Sequence, residues 1–211
     1  MKYITLILLW GLFTVATAQD FDLKNGDLIF QEACTSNLEN SIKEVTSSIG
    51  DYQFTHVGIV YIDDNDSIFV LEATRPRVIL STLNEYLYPA DKECHPRSAV
   101  GRLKAQYQAI IPNALEFGFT LIGKDYDYGF VSGNDKYYCS EFVYEILKKA
   151  NKGQDVFPLN IMTFKSKETG VTTPGWINYF ENLGIPVPEG EWGINPGAMS
   201  RSDVLDILHV F

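Results

Sequence analysis

Hydrophobic positions recur at two different spacings along the chain. In residues 36–50, Leu38, Ile42, Val45 and Ile49 are separated by four, three and four, the period of one helix face. Ser36 and Glu39 stand in capping-box relation before them, and Gly50 supplies a stop. Residues 54–62 (FTHVGIVYI) and 67–73 (SIFVLEA) are instead short β-branched runs joined across DDND, which predicts a hairpin of two largely buried strands. Shorter strands are predicted within 25–31 (NGDLIFQ) after a turn, at 77–80 beyond Pro76, and at 99–105. Ile111-Pro112 opens a helix that carries Leu115, Gly118 and Ile122 on one face and stops at Gly123. A polar loop, GKDYDYGFVSGNDK, then leads to YYCSEFVYEILKKA, where Phe142, Val143, Ile146 and Leu147 form a core stripe and Lys148 and Lys149 suit a helix C-terminus.

Past Gly153 the pattern breaks into short pieces under Pro158, Pro174, Pro186, Pro188 and Pro196. One helix is clear there, with Thr173 as N-cap, Pro174 at its first position and Gly184 after its end. Residues 151–211 therefore read as a Pro/Gly-rich arm wrapped on the main domain, or as a lid, because Trp176, Tyr179, Phe180 and Trp192 need apolar surface to bury against. At the other end, Lys2, an apolar run from Tyr3 to about Val15 and Ala16-Thr17-Ala18 predict a signal peptide cleaved after Ala18. The run is shorter than the roughly 20 residues of a spanning helix. The expected mature chain is 19–211, a single exported domain, periplasmic or extracellular, with no integral membrane segment.

Composition narrows the partners. A formal charge of −10 would repel nucleic acid and anionic headgroups. An aromatic content of 13% argues for a packed fold rather than disorder. Cys34, Cys94 and Cys139 are an odd number, so in an oxidising compartment at least one thiol is unpaired. Cys34 and Cys94 could form a disulfide. Cysteine and histidine spacings match no common metal site, and no cofactor is implied.

Cys139 stands where a helix begins. A thiol attacks as thiolate, and an ordinary cysteine is only a few per cent ionised at neutral pH. A helix N-terminus contributes about 0.3–1 kcal/mol, less than one pKa unit's worth of roughly 1.4 kcal/mol. An activated Cys139 therefore needs a cationic partner; otherwise it is a small apolar core residue. Of three histidines, His209 lies near the C-terminus without supporting context, and His95 adjoins Cys94 on an extended segment where neighbours point apart. His56 opens an apolar strand, and Glu72, costly to bury alone, lies near the end of the next. With the glutamate holding one ring nitrogen, the other is left for a thiol. Placing His56 directly opposite Glu72 requires a connection of three or five unpaired residues, 63–65 or 62–66. The plainer alternatives are a structural strand histidine and a glutamate reaching solvent.

Taken in order, NGDLIFQ, THVGIV, VLEA, GKDYDYGF and NDKYYCSEFVYEI resemble the YiiX-like branch of the NlpC-type papain-like cysteine hydrolases, a circularly permuted group in which histidine precedes cysteine. The resemblance implies an α+β permuted papain-like core, an antiparallel sheet packed against helices. It further implies Cys139 as nucleophile, His56 as general base and Glu72 as orienting residue, with Tyr138 on the oxyanion or substrate side. Tyr126 and Asp127 become candidates for the cleft wall, packing being the alternative. Gly26-Asp27 is expected to form a tight turn with Asp27 holding backbone N–H groups. The expected substrate is a peptide or amide, cell-wall derived in the leading reading; a lipid-directed acyl hydrolase or acyltransferase and a non-catalytic binding module are the rivals.

Overall fold

The computed structural model describes residues 21–34, 36–89 and 96–211. The expected signal peptide, Cys94 and His95 lie outside the described residues. Six strands form one antiparallel sheet: β1 (Leu28–Glu32), β2 (His56–Ile62), β3 (Ile68–Thr74), β4 (Arg77–Thr82), β5 (Arg97–Leu103) and β8 (Leu205–Val210), in the order β4-β3-β2-β1-β5-β8. Residues alternate between its faces. Val57 and Ile59 of β2 and Leu71 and Ala73 of β3 are fully buried on one side, against Phe142, Val143, Ile146 and Leu147 of helix α5 (Cys139–Ala150). Helix α4 (Ile111–Thr120) shares that side, and it approaches so closely that a Cβ on Gly118 would stand 2.8 Å from Leu71 Cδ2. On the opposite side Ile29, Val60, Val70 and Val100 pack with Tyr86 and Leu87 of the short helix α2 (Leu83–Leu87).

The helix expected over 36–49 is shorter. Helix α1 spans Asn37–Val45; Ser36 Oγ accepts from the Leu38 and Glu39 amides, and the chain leaves the helix at Thr46. At the early end Thr46 Oγ1 donates back to the Ile42 carbonyl at 2.9 Å, and at the start the Glu39 carboxylate serves an ion pair with Arg75. Ile49 is left exposed on a loop.

The turn at Asp27 is structural. Gly26 adopts φ +86°, and the buried Asp27 carboxylate accepts from the Lys24 amide at 2.8 Å and from Arg102 Nε and Nη2 at 2.7 Å each. Cys34 is disulfide-bonded.

The C-terminal residues do more than wrap. Helix α6 (Pro174–Leu183) packs on α1, with Trp176 Nε1 donating to the Ser41 carbonyl at 3.0 Å, and β8 completes the main sheet beside β5. Between them, β6 (Asn160–Ile161) pairs with β7 (Trp192–Gly193), and helix α7 (Pro196–Ser200) follows. His209, on β8 level with Val100, stacks on Phe21 at 4.8 Å. No helix among the described residues is long and apolar enough to cross a membrane.

Candidate active site

Three elements meet at one end of the sheet. Cys139 is the first residue of α5, with Tyr138 as N-cap, so it sits beside first-turn N–H groups that have no intrahelical acceptor. Its Sγ stands 3.9 Å from the carbonyl oxygen of Thr55, the residue before His56, and the sulfur raises the affinity of the His56 ring for a proton. Cys139 is a free thiol, and only 5% of it is exposed.

His56 opens β2. Its Nε2 is 2.6 Å from Glu72 Oε2, which leaves Nδ1 for sulfur, and Ser81 Oγ donates to the other carboxylate oxygen, Oε1, at 2.6 Å. Burial by itself would lower the imidazole pKa. The hydrogen bonds with Cys139 and Glu72, together with their charges, outweigh it and push His56 up to about 10. The arrangement favours an imidazolium.

The strand register differs from the one expected. Ile59 pairs with Leu71 and Ile62 with Ile68, so Glu72 is level with Gly58, one pleat inward from His56. The five unpaired residues are 63–67. Asp63 fixes them, because its Oδ1 accepts from the Asn65 and Ser67 amides and its own N–H donates to Ser67 O. Glu72 still shares a face with His56, since residues two apart on a strand point the same way. Gly58 makes the diagonal contact possible by leaving open the space between them. A Cβ there would stand 2.4 Å from Val70 Cγ1, 3.1 Å from Tyr86 Cε2 and 3.3 Å from Glu72 Cβ. Gly58→Ala is therefore expected to cost about 1–3 kcal/mol by overpacking and to reduce turnover more than stability alone explains; a denaturant melt and an assay of the purified variant check both.

Several neighbours carried no sequence signal. Gln31, directly opposite His56 on β1, donates to the Tyr86 carbonyl at 2.9 Å and to Ser98 Oγ at 3.3 Å. Tyr86 lies with its ring 5.6 Å from the imidazole, and its hydroxyl donates to Ile29 O at 2.7 Å. Burial and then the Glu72 charge raise that phenol well above its ordinary value, so it stays neutral. Ser81 was legible only as a polar residue ending the RVIL run.

The expected wall residues are placed as follows. Tyr126 is buried and lines the cavities beside both Cys139 and His56, its phenol pKa raised by burial and then by the nearby sulfur. Tyr138 lines the cysteine cavity, but its hydroxyl turns to the far wall, where it accepts from the Ile194 amide at 3.3 Å. Asp127 has both oxygens committed to its own loop, accepting from Gly129 N at 2.8 Å and Val131 N at 2.7 Å. That loop drives Phe130 into a cluster with Tyr138, Trp176, Tyr179 and Phe180. Glu141, at the third position of α5, accepts from the Tyr138 amide, and burial followed by the Asp127 charge pushes it up to about 8. Below that pH the first turn keeps a neutral carboxyl beside the cysteine.

Two cavities flank the pair. One of about 280 Å³ opens on Cys139 and is lined by an apolar group, Tyr126, Phe130, Tyr138, Met162, Phe164 and Trp176, together with polar and cationic side chains that include Lys167 and Arg201. The other, of about 940 Å³, opens on His56 and Glu72. Thr55, Tyr126 and Ile42 belong to both.

A cysteine at a helix start, facing a sheet whose strand presents histidine earlier in the chain, defines a circularly permuted papain-like fold. Residues 22–209 match the model of the permuted papain-like amidase enzymes, the YaeF/YiiX or C92 family, and the chain belongs to that family. It is thus a cysteine peptidase or amidase-type hydrolase at the level of the family. The fold is similar to the crystal structure of the metalloprotein YiiX from Escherichia coli O157:H7, with a TM-score of 0.70 and 22% identity over 88% of this chain and 96% of that one. No protein of curated function matches the chain significantly. Among the described residues, no three histidine, cysteine, aspartate or glutamate side chains are grouped to hold a metal ion.

Proposed function

We propose that the protein is an exported cysteine amidase working through a Cys139–His56–Glu72 triad and a thioester intermediate. The observation that carries this reading is the hydrogen-bonded line from Ser81 through Glu72 to His56, with the sulfur at the start of α5 set 3.9 Å from the carbonyl of Thr55, the residue before that histidine. Cys139 as thiolate attacks the carbonyl carbon, forming the C–S bond. The oxyanion is stabilised by N–H groups of the α5 first turn. As the C–N bond breaks, His56 gives its proton to the departing amine. Water, losing a proton to His56, then attacks the thioester; the C–S bond breaks, the acid leaves and the thiolate is restored. Glu72 keeps the ring oriented and stabilises its charged form, and Ser81 holds Glu72.

The substrate class in this proposal is a peptide or related amide, cell-wall derived in its leading form. One observation favours the lipid-directed rival. The cavity at Cys139 carries an aromatic cluster with Met162, which suits an apolar acyl half, and Lys167, Arg201, Asn160 and Asn195 line it as well. The test is to mix the protein with defined muropeptides and with fatty-acyl amides, quench in acid during turnover and weigh the intact chain. A mass increase equal to the acyl group, localised to Cys139, is expected with the true class. Turnover without any adduct on Cys139, under conditions where deacylation is slowed, contradicts the thioester route.

A further inference from the structure

The two cavities divide the substrate. In an acyl transfer the acyl half stays on sulfur and the amine half leaves on the side of the proton donor. The cavity at Cys139 therefore holds the acyl half, and the larger one at His56 holds the amine. This division rests on the proposed triad. Within the lining of the amine cavity, Arg75 is the single arginine or lysine. It follows β3, whose Glu72 holds the imidazole, and its side chain is 48% exposed. Glu39, on α1, accepts from Nη2 at 2.9 Å through Oε1 and is itself buried. The carboxylate thus anchors one corner of the fork. The remaining N–H groups of Arg75 have no acceptor among the described residues.

We propose that Arg75 binds a carboxylate carried by the leaving amine, so that the enzyme cleaves amides whose departing half is an amino acid with a free carboxyl group, at a peptide C-terminus or in an N-acyl amino acid. A planar fork anchored at one corner offers its free edge for a bidentate bond, the geometry a carboxylate matches. The cavity wall selects one charge rather than two. Glu39, Glu72 and Glu85 also line it, so a phosphate dianion meets more repulsion there than a carboxylate does.

The test compares kcat/KM for N-octanoyl-phenylalanine and N-acetyl-alanyl-phenylalanine with that of their C-terminal carboxamides. Wild-type protein is expected to prefer the free acid by roughly 10- to 100-fold, the worth of a charge-assisted hydrogen-bonded pair. Arg75→Lys should retain part of the preference, and Arg75→Gln should bring the ratio to about one. Because Arg75→Gln leaves Glu39 buried without its partner, the pair Glu39→Gln/Arg75→Gln is measured beside it and should show the same loss. A preference confined to the octanoyl substrates identifies a fatty-acyl source, and one confined to the acetyl-alanyl substrates a peptide source. Equal rates for acids and carboxamides in the wild type, or a preference that survives both glutamine variants, overturn the role of Arg75 and leave the triad standing. Hydrolysis of none of the four overturns the inference; alkylation of Cys139 by iodoacetamide then decides separately whether the triad stands.

Discussion

Cys139→Ala is expected to lower kcat/KM for any amide the wild type cleaves by at least about a thousandfold, since no other group on the site can form the covalent intermediate. Thr55 and Ser140 line the cavity beside Cys139, and both hydroxyls are engaged: Thr55 Oγ1 accepts from Ala33 N at 3.1 Å and Ser140 Oγ donates to Ile194 O at 2.9 Å. The loss should be purely chemical. Truncating the buried CH2SH side chain to a methyl group removes one heavy atom from a cavity-lining position, so stability should change by only about 1 kcal/mol. A variant that stays folded by thermal melt but retains wild-type turnover would remove sulfur from the mechanism.

The second large effect is at the histidine. His56→Ala is expected to cost roughly 10²–10⁴ in kcat/KM, the range for losing a positioned acid-base group, and to change the pH profile as well as the rate. In the proposed mechanism the imidazolium is the acid that releases the amine. Its pKa is raised from 6.5 to about 10, so activity should fall on the alkaline side as pH rises through that value. The sign for stability is the same. Between pH 6.5 and about 10 the folded state holds a proton that the unfolded state gives up, so this group's stabilisation is complete below 6.5 and declines across that window. In His56→Ala the alkaline limb belonging to this group disappears. Kinetics from pH 5 to 11 on both proteins measure it.

Much of this was legible in the chain because the relevant signals are local. The apolar period places α5 and the β2–β3 pair, and the thiol at the helix start needs no tertiary information to be noticed. His56 and Glu72 were legible as a pair because a buried strand glutamate needs a partner and the hairpin brings its two ends together, and the pairing survives the change of register because residues on one strand face repeat every two. The register itself was not. It depends on where the turn closes, and Asp63 closes it by holding two amides, a choice DDND leaves open among its three aspartates. The diagonal contact depends on Gly58, whose function is the absence of a side chain. Ser81 and Gln31 reach the site from strands paired through the sheet, so they became visible only once strand order was fixed. Likewise β8 is a short alternating stretch at the end of a proline-broken tail, and its partner β5 lies about a hundred residues earlier. Asp127 was legible as a candidate for the cleft wall, with packing as the alternative, because its loop leads to Cys139; its two bonds to backbone amides of that loop could not be read from the sequence.

The most direct test of the central claim, that His56 holds Cys139 as thiolate, is the rate of alkylation by dilute iodoacetamide at pH 6, followed residue by residue with mass spectrometry. An unassisted thiol is well under one per cent ionised there. The paired sulfur should be modified many times faster than Cys139 in His56→Ala, with Glu72→Gln in between. Equal slow labelling of Cys139 in the wild type and in His56→Ala would contradict the pairing.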